Sequence, residues 1–151
     1  MRGRHLKIAV ILCAGAALAG ASLPATAATR APSDTHTSGA RPVVVDCSFK
    51  AQVRPGTYLL ACADGNNGLV RLHWKSWSAS SATATGTDVV NDCKPYCAAG
   101  TFHSYAVDVK LANPRPWAGH HGQQRFTTLE LTYPGARPDH SARHVSYPLW
   151  S

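Results

Sequence analysis

Apolar and polar side chains alternate with a period of two in three stretches of this chain. Val70, Leu72 and Trp74 alternate with Arg71, His73 and Lys75. Tyr105, Val107, Val109 and Leu111 alternate with Ser104, Ala106, Asp108 and Lys110, and Thr127, Leu129, Leu131 and Tyr133 with Thr128, Glu130 and Thr132. This is the period of a β-strand with one buried face, so the first set in each stretch is expected to point inward. Weaker patterns predict strands over 43–47, 57–63 and 83–91. Turn formers separate these segments: Arg54-Pro55-Gly56, Asp64-Gly65-Asn66-Asn67-Gly68 and Asn113-Pro114-Arg115-Pro116. Several residues of 64–68 tolerate positive φ, which predicts an antiparallel hairpin over 57–77. Six short strands with little helical periodicity predict an all-β fold. The reading is a small disulfide-stapled β-sandwich, with a small β-barrel as the alternative.

The ends of the chain follow other rules. Arg2, Arg4 and Lys7 precede an apolar run over 8–19, and Ala25-Thr26-Ala27 offers small residues where a signal peptidase cuts. Residues 1–27 therefore read as a secretory signal peptide and the mature protein as secreted and extracellular. The 12-residue run is shorter than the roughly 20 residues needed to span a bilayer. Leu12 before Cys13 does not suit a lipoprotein signal, so no transmembrane segment or lipid anchor is expected. Residues 28–41 lack large apolar side chains and read as a disordered leader. The folded domain is expected over 42–133. After a Pro134–Pro138 break, the 134–151 tail is expected to dock, because Val145, Tyr147, Leu149 and Trp150 would be costly to expose.

Removing Arg2, Arg4 and Lys7 from the 15 Lys and Arg leaves 12 against 8 Asp and Glu, a net +4. The basic residues form no run, which excludes a nucleic-acid footprint and leaves weak attraction to anionic surfaces such as cell-wall polymers.

In an oxidising compartment Cys47, Cys62, Cys93 and Cys97 are expected as two disulfides. Of the three connectivities we favour Cys47–Cys62, stapling the first two strands, and Cys93–Cys97, closing a small ring over Lys94-Pro95-Tyr96. A four-thiolate zinc site fits neither the spacing nor the compartment. The run Asn91-Asp92-Cys93-Lys94-Pro95-Tyr96-Cys97-Ala98 ahead of the Tyr105–Val109 strand resembles a pattern in small secreted proteins of high-GC Gram-positive bacteria. Cys62-Ala63-Asp64-Gly65-Asn66 and Leu72-His73-Trp74-Lys75-Ser76-Trp77 look similar too. The resemblance covers about half of the mature chain; it implies a shared fold and export, and no activity.

Candidate chemistry is sparse. A rigid ring presenting Lys94 and Tyr96 suits recognition of a partner, since its ordering entropy is already lost. Trp77 has the parity opposite to Trp74 and is expected to face outward, where it could stack on a sugar. His120-His121 lies in a Gly-flanked loop without an acidic partner at metal spacing, so no metal or cofactor is assigned. No nucleophile elbow, zinc-protease motif or close carboxylate pair occurs, and no catalytic residue is assigned. The reading is a non-catalytic extracellular binding or surface-interaction protein, its partner a cell-wall polymer, a glycan or a secreted protein. One alternative is a protease inhibitor using the Cys93–Cys97 loop, against which Pro95 counts; the other is a small extracellular hydrolase.

Overall fold

The structure, a computed structural model, describes residues 41–149. The segments read as signal peptide and leader, up to residue 40, and Trp150 and Ser151 lie outside the described residues. Among the described residues eight strands follow one another: β1 (Val44–Val45), β2 (Ala51–Gln52), β3 (Tyr58–Leu59), β4 (Asn67–Trp77), β5 (Ala82–Asn91), β6 (Phe102–Pro116), β7 (Gln124–Thr132) and β8 (His144–Pro148). A single 3-10 turn, Cys97–Ala99, lies between β5 and β6. Strands β3 to β8 form one antiparallel sheet in chain order, and β1 with β2 forms a separate ribbon. Each strand pairs with its sequence neighbour, so tight local connections suffice.

The all-β, disulfide-stapled class is the one the alternation predicts. Its two layers are very unequal, because the six-stranded sheet curls until both β3 and β7 reach the β1 segment. Tyr58 donates its hydroxyl to the Val45 carbonyl (2.8 Å). Val43 N–H donates to the Gln124 carbonyl and Phe126 N–H to the Val43 carbonyl, each at 2.9 Å. The enclosed core contains Val44, Tyr58, Leu69, Leu72, Val107, Val109, Leu111, Phe126, Leu129, Leu131 and Tyr133. On β6, and on β7 from Leu129 onward, the inward residues are those the alternation assigns; at the start of β7 Phe126 enters the core in place of the expected Thr127. Both disulfides have the expected connectivity.

Strand β4 departs from the expected parity. Val70 pairs with Thr87 and His73 with Thr85, so Arg71 and Leu72 together oppose Gly86, a β-bulge. A second irregularity lies between Trp74 and Ser76. Each extra residue shifts which side chain faces the core. Leu69 rather than Val70 is buried, Leu72 follows, and Trp77 is turned inward at 5% exposure. The outward orientation expected of Trp77 is therefore corrected. Its indole N–H donates to the Pro42 carbonyl (2.8 Å), and its ring packs edge-on against Trp74 and Phe126.

The Asn113–Pro116 segment, expected as a turn, is the end of β6: Pro114 pairs with Phe126 and Pro116 with Gln124. Strand β5 stops opposite Leu111, so β6 has a free edge beyond that point. Prolines are tolerated there because no ladder donor is lost. The C-terminal tail docks as β8, with Val145, Tyr147 and Leu149 packed against the core.

Candidate functional site

The strongest candidate lies where β5 hands over to β6. Asn91 pairs with Phe102, and the intervening loop is cross-linked by Cys93–Cys97. Asn91 is buried beneath it as an anchor. Its amide donates to Asn66 Oδ1 and to the Cys97 carbonyl (2.8 Å each), and its Oδ1 accepts from Cys93 N–H (3.0 Å). A side chain at position 100 would run into that amide, which is why glycine stands there. Asp92 holds the loop from the other side. Its Oδ1 accepts from Thr101 N–H (2.9 Å) and Lys94 N–H (3.1 Å), and its Oδ2 from His103 Nε2 (3.0 Å). The Thr101 amide, then His103 and the Lys94 amide, stabilise the charged form and lower the carboxyl to about 2.

A distant loop completes the site. Lys94 Nζ donates to Asp139 Oδ2 at 2.9 Å, joining the ring to the segment between β7 and β8. The pair raises the lysine and lowers the carboxyl, as opposite charges in hydrogen-bond contact do. Val90, Asp92, Lys94, His103, Tyr105 and Asp139 border a pocket of about 480 Å³. His103 and Tyr105 continue the inward parity of Val107 and Val109, so the pocket is the mouth of the curled sheet, a usual place for ligands in β-folds. Beside it the ring exposes Tyr96 (63%) and, at the start of β6, Phe102 (54%).

Opposite Tyr105 in the ladder, Asp88 is fully buried. Tyr133 donates its hydroxyl to Asp88 Oδ2 (2.6 Å) and Asn67 its amide to Oδ1 (3.0 Å). Burial raises the Asp88 carboxyl despite these two donors. Burial and Asp88 together push the Tyr133 phenol above its ordinary range. This polar cluster supports the mouth from below.

The structure brings Lys94 and Tyr96 to the surface on one cross-linked ring, as the sequence suggests, and removes Trp77 to the core. Neighbours the sequence did not reveal are His103, Asp139 and the Asp88–Tyr133 pair. Asp88 carried a legible signal, since it shares parity with the buried Ala82 and Ala84. His120 stacks on Trp117 at 3.5 Å between centroids, nearly parallel. Among the described residues no group of three or more His, Cys, Asp or Glu is arranged to hold a metal ion. Likewise, no helix among them is long and apolar enough to cross a membrane. Comparison of the chain with family models, with curated proteins and with solved structures finds no match.

Proposed function

We propose that the protein is a secreted, non-catalytic binding module that engages an extracellular partner through the surface around the Cys93–Cys97 ring. The observation that carries this reading is the pairing of exposed aromatics with a fixed backbone. Tyr96 stands out to solvent on a loop restrained by a disulfide, by Asn91 beneath it and by Asp92 beside it, and Phe102 does so on the first residue of β6. Ordering is complete before binding, so the partner meets rigid rings at little entropic cost. The polar mouth alongside adds Lys94, His103 and Asp139 as hydrogen-bonding groups. Such a mixture suits a partner that is itself part apolar and part polar, such as a wall polymer, a glycan or a protein surface.

Binding to intact cells, isolated wall polymers and a broad glycan array tests the reading. Wild-type protein is expected to bind at least one of these. The Tyr96→Ala, Phe102→Ala double variant is expected to lose about tenfold or more, the scale of a buried aromatic anchor. Failure of the wild type to bind any of them overturns the reading.

A second reading, hydrolysis, draws on one observation. Asp92 orients His103 at the pocket wall, an arrangement in which the second ring nitrogen is available to take a proton from water. Turnover of ester or glycoside substrates that vanishes in His103→Ala would favour it. Turnover unchanged by that substitution would dismiss it.

A further inference from the structure

Three large apolar side chains are exposed in a second region, between Cys47 and Cys62: Phe49 (70%), Val53 (58%) and Leu59 (40%). These positions lie outside the Cys93–Cys97 ring, and nothing proposed above uses them. Phe49 stands in the turn between β1 and β2 with φ 58°, a left-handed conformation that bulky residues seldom adopt. Asp46 sets that turn. Its Oδ1 accepts from Ser48 N–H and Lys50 N–H (2.9 Å each), and its Oδ2 from the Gln52 amide (2.7 Å). The Cys47–Cys62 disulfide ties the same segment to the end of β3. The backbone is thus held in a form that presents a phenyl ring to solvent.

Charge narrows the partner. Lys50 and Arg54 are the only charged residues between Cys47 and Cys62. The adjoining carboxylate, Asp46, has both oxygens engaged within the turn. Phe49, Val53 and Leu59 carry no polar side-chain atom. Protein partners favour anchors of Trp, Tyr and Arg, with Leu and Val under-represented. An exposed phenyl ring with Lys50 next to it in the chain and Arg54 just past β2, both exposed, matches instead the boundary between lipid headgroups and acyl chains.

We propose that the 47–62 loop is a membrane-contact site. It seats Phe49 at the headgroup boundary of an anionic bilayer, with Lys50 and Arg54 on the lipid phosphates. The contact is interfacial and does not span the bilayer. One inserted ring and two cations give weak, reversible binding rather than stable anchoring.

Protein recovered from the medium of a secreting host is to be sedimented with vesicles of phosphatidylcholine, alone or with about 30 mol% phosphatidylglycerol. Sedimentation with the anionic vesicles is expected, falling severalfold in about 0.5 M salt. Phe49→Ser and the pair Lys50→Gln, Arg54→Gln are each expected to lower partitioning about tenfold. Tyr96→Ala is expected to sediment as the wild type does, which separates this site from the ring. A Phe49→Ser chain that lost the wild-type far-ultraviolet spectrum would be replaced by Val53→Ser. Absence of binding to anionic vesicles overturns the proposal, as does equal binding to neutral ones or binding indifferent to both apolar substitutions. Capture by a wall polymer or a protein that depends on Phe49 without vesicle binding overturns it too.

Discussion

Asp88 and Asp92 stand four residues apart, and their carboxyl groups are driven in opposite directions. Asp92 collects donors at the surface and is lowered to about 2, chiefly by the Thr101 amide. Its contribution to stability is present above the ordinary carboxylate value and is lost as pH falls through about 2. Burial raises Asp88, so its contribution is present below the ordinary value and is lost as pH rises through its folded value. Carboxyl carbon shifts followed by NMR against pH are expected to show the two midpoints on opposite sides of 3.8. Midpoints that coincide would contradict this account of the mouth. Removing the Tyr133 hydroxyl takes a donor from a buried carboxylate. Tyr133→Phe is therefore expected to cost about 2–3 kcal/mol at pH values where Asp88 is ionised, read by urea unfolding. The cost should shrink near pH 3, where Asp88 is protonated.

At the scale of elements, β4 and β5 fit only because one position lacks a side chain. Gly86 faces the bulge made by Arg71 and Leu72. A Cβ there would come within 2.8 Å of Leu72 Cδ2 and 3.1 Å of the Val70 carbonyl. Gly86→Ala is expected to destabilise by about 1–3 kcal/mol in chemical unfolding, the scale of core overpacking. Gly56→Ala, with nothing within 4 Å, serves as the control and is expected to change little. The two irregularities explain the misplaced residues: the bulge at Arg71 and Leu72 puts Leu69 rather than Val70 in the core, and the one between Trp74 and Ser76 turns Trp77 inward. Val70 to Trp77 reads as one uninterrupted strand, and the extra residues become visible only through the pairing with Thr87 and Thr85 and then with Ala84 and Thr83. On β6, and on β7 from Leu129 onward, where no register shift intervenes, the inward set was legible, whereas Phe126 rather than Thr127 fills the core at the start of β7. Pro114 and Pro116 suggested a turn because a sequence does not reveal which strand edge lacks a partner.

For the molecule as a whole, the meander made the fold legible and the mouth illegible for one reason. Neighbouring strands pair in chain order, so local patterns largely determine the sheet. The mouth is instead closed by groups 45 residues apart, Lys94 with Asp139 and Asp88 with Tyr133. No spacing rule foresees such pairs. The two disulfides differ in the work they do. Cys47–Cys62, with a separation of 15, restrains the unfolded chain more than Cys93–Cys97, with a separation of 4. The chain-entropy model puts the two at about 3 and about 2 kcal/mol. Cys47→Ser with Cys62→Ser is expected to lower the unfolding free energy by the larger amount, measured by denaturant titration.

Opening the smaller ring is the most direct examination of the whole account. Cys93→Ser with Cys97→Ser leaves the core rows untouched while freeing the backbone that carries Lys94 and Tyr96. The variant is expected to unfold cooperatively, with only the modest loss given above, yet to retain a tenth or less of wild-type binding to cells, wall polymers or glycans. A ring-opened protein that is folded and binds as tightly as the wild type would contradict it.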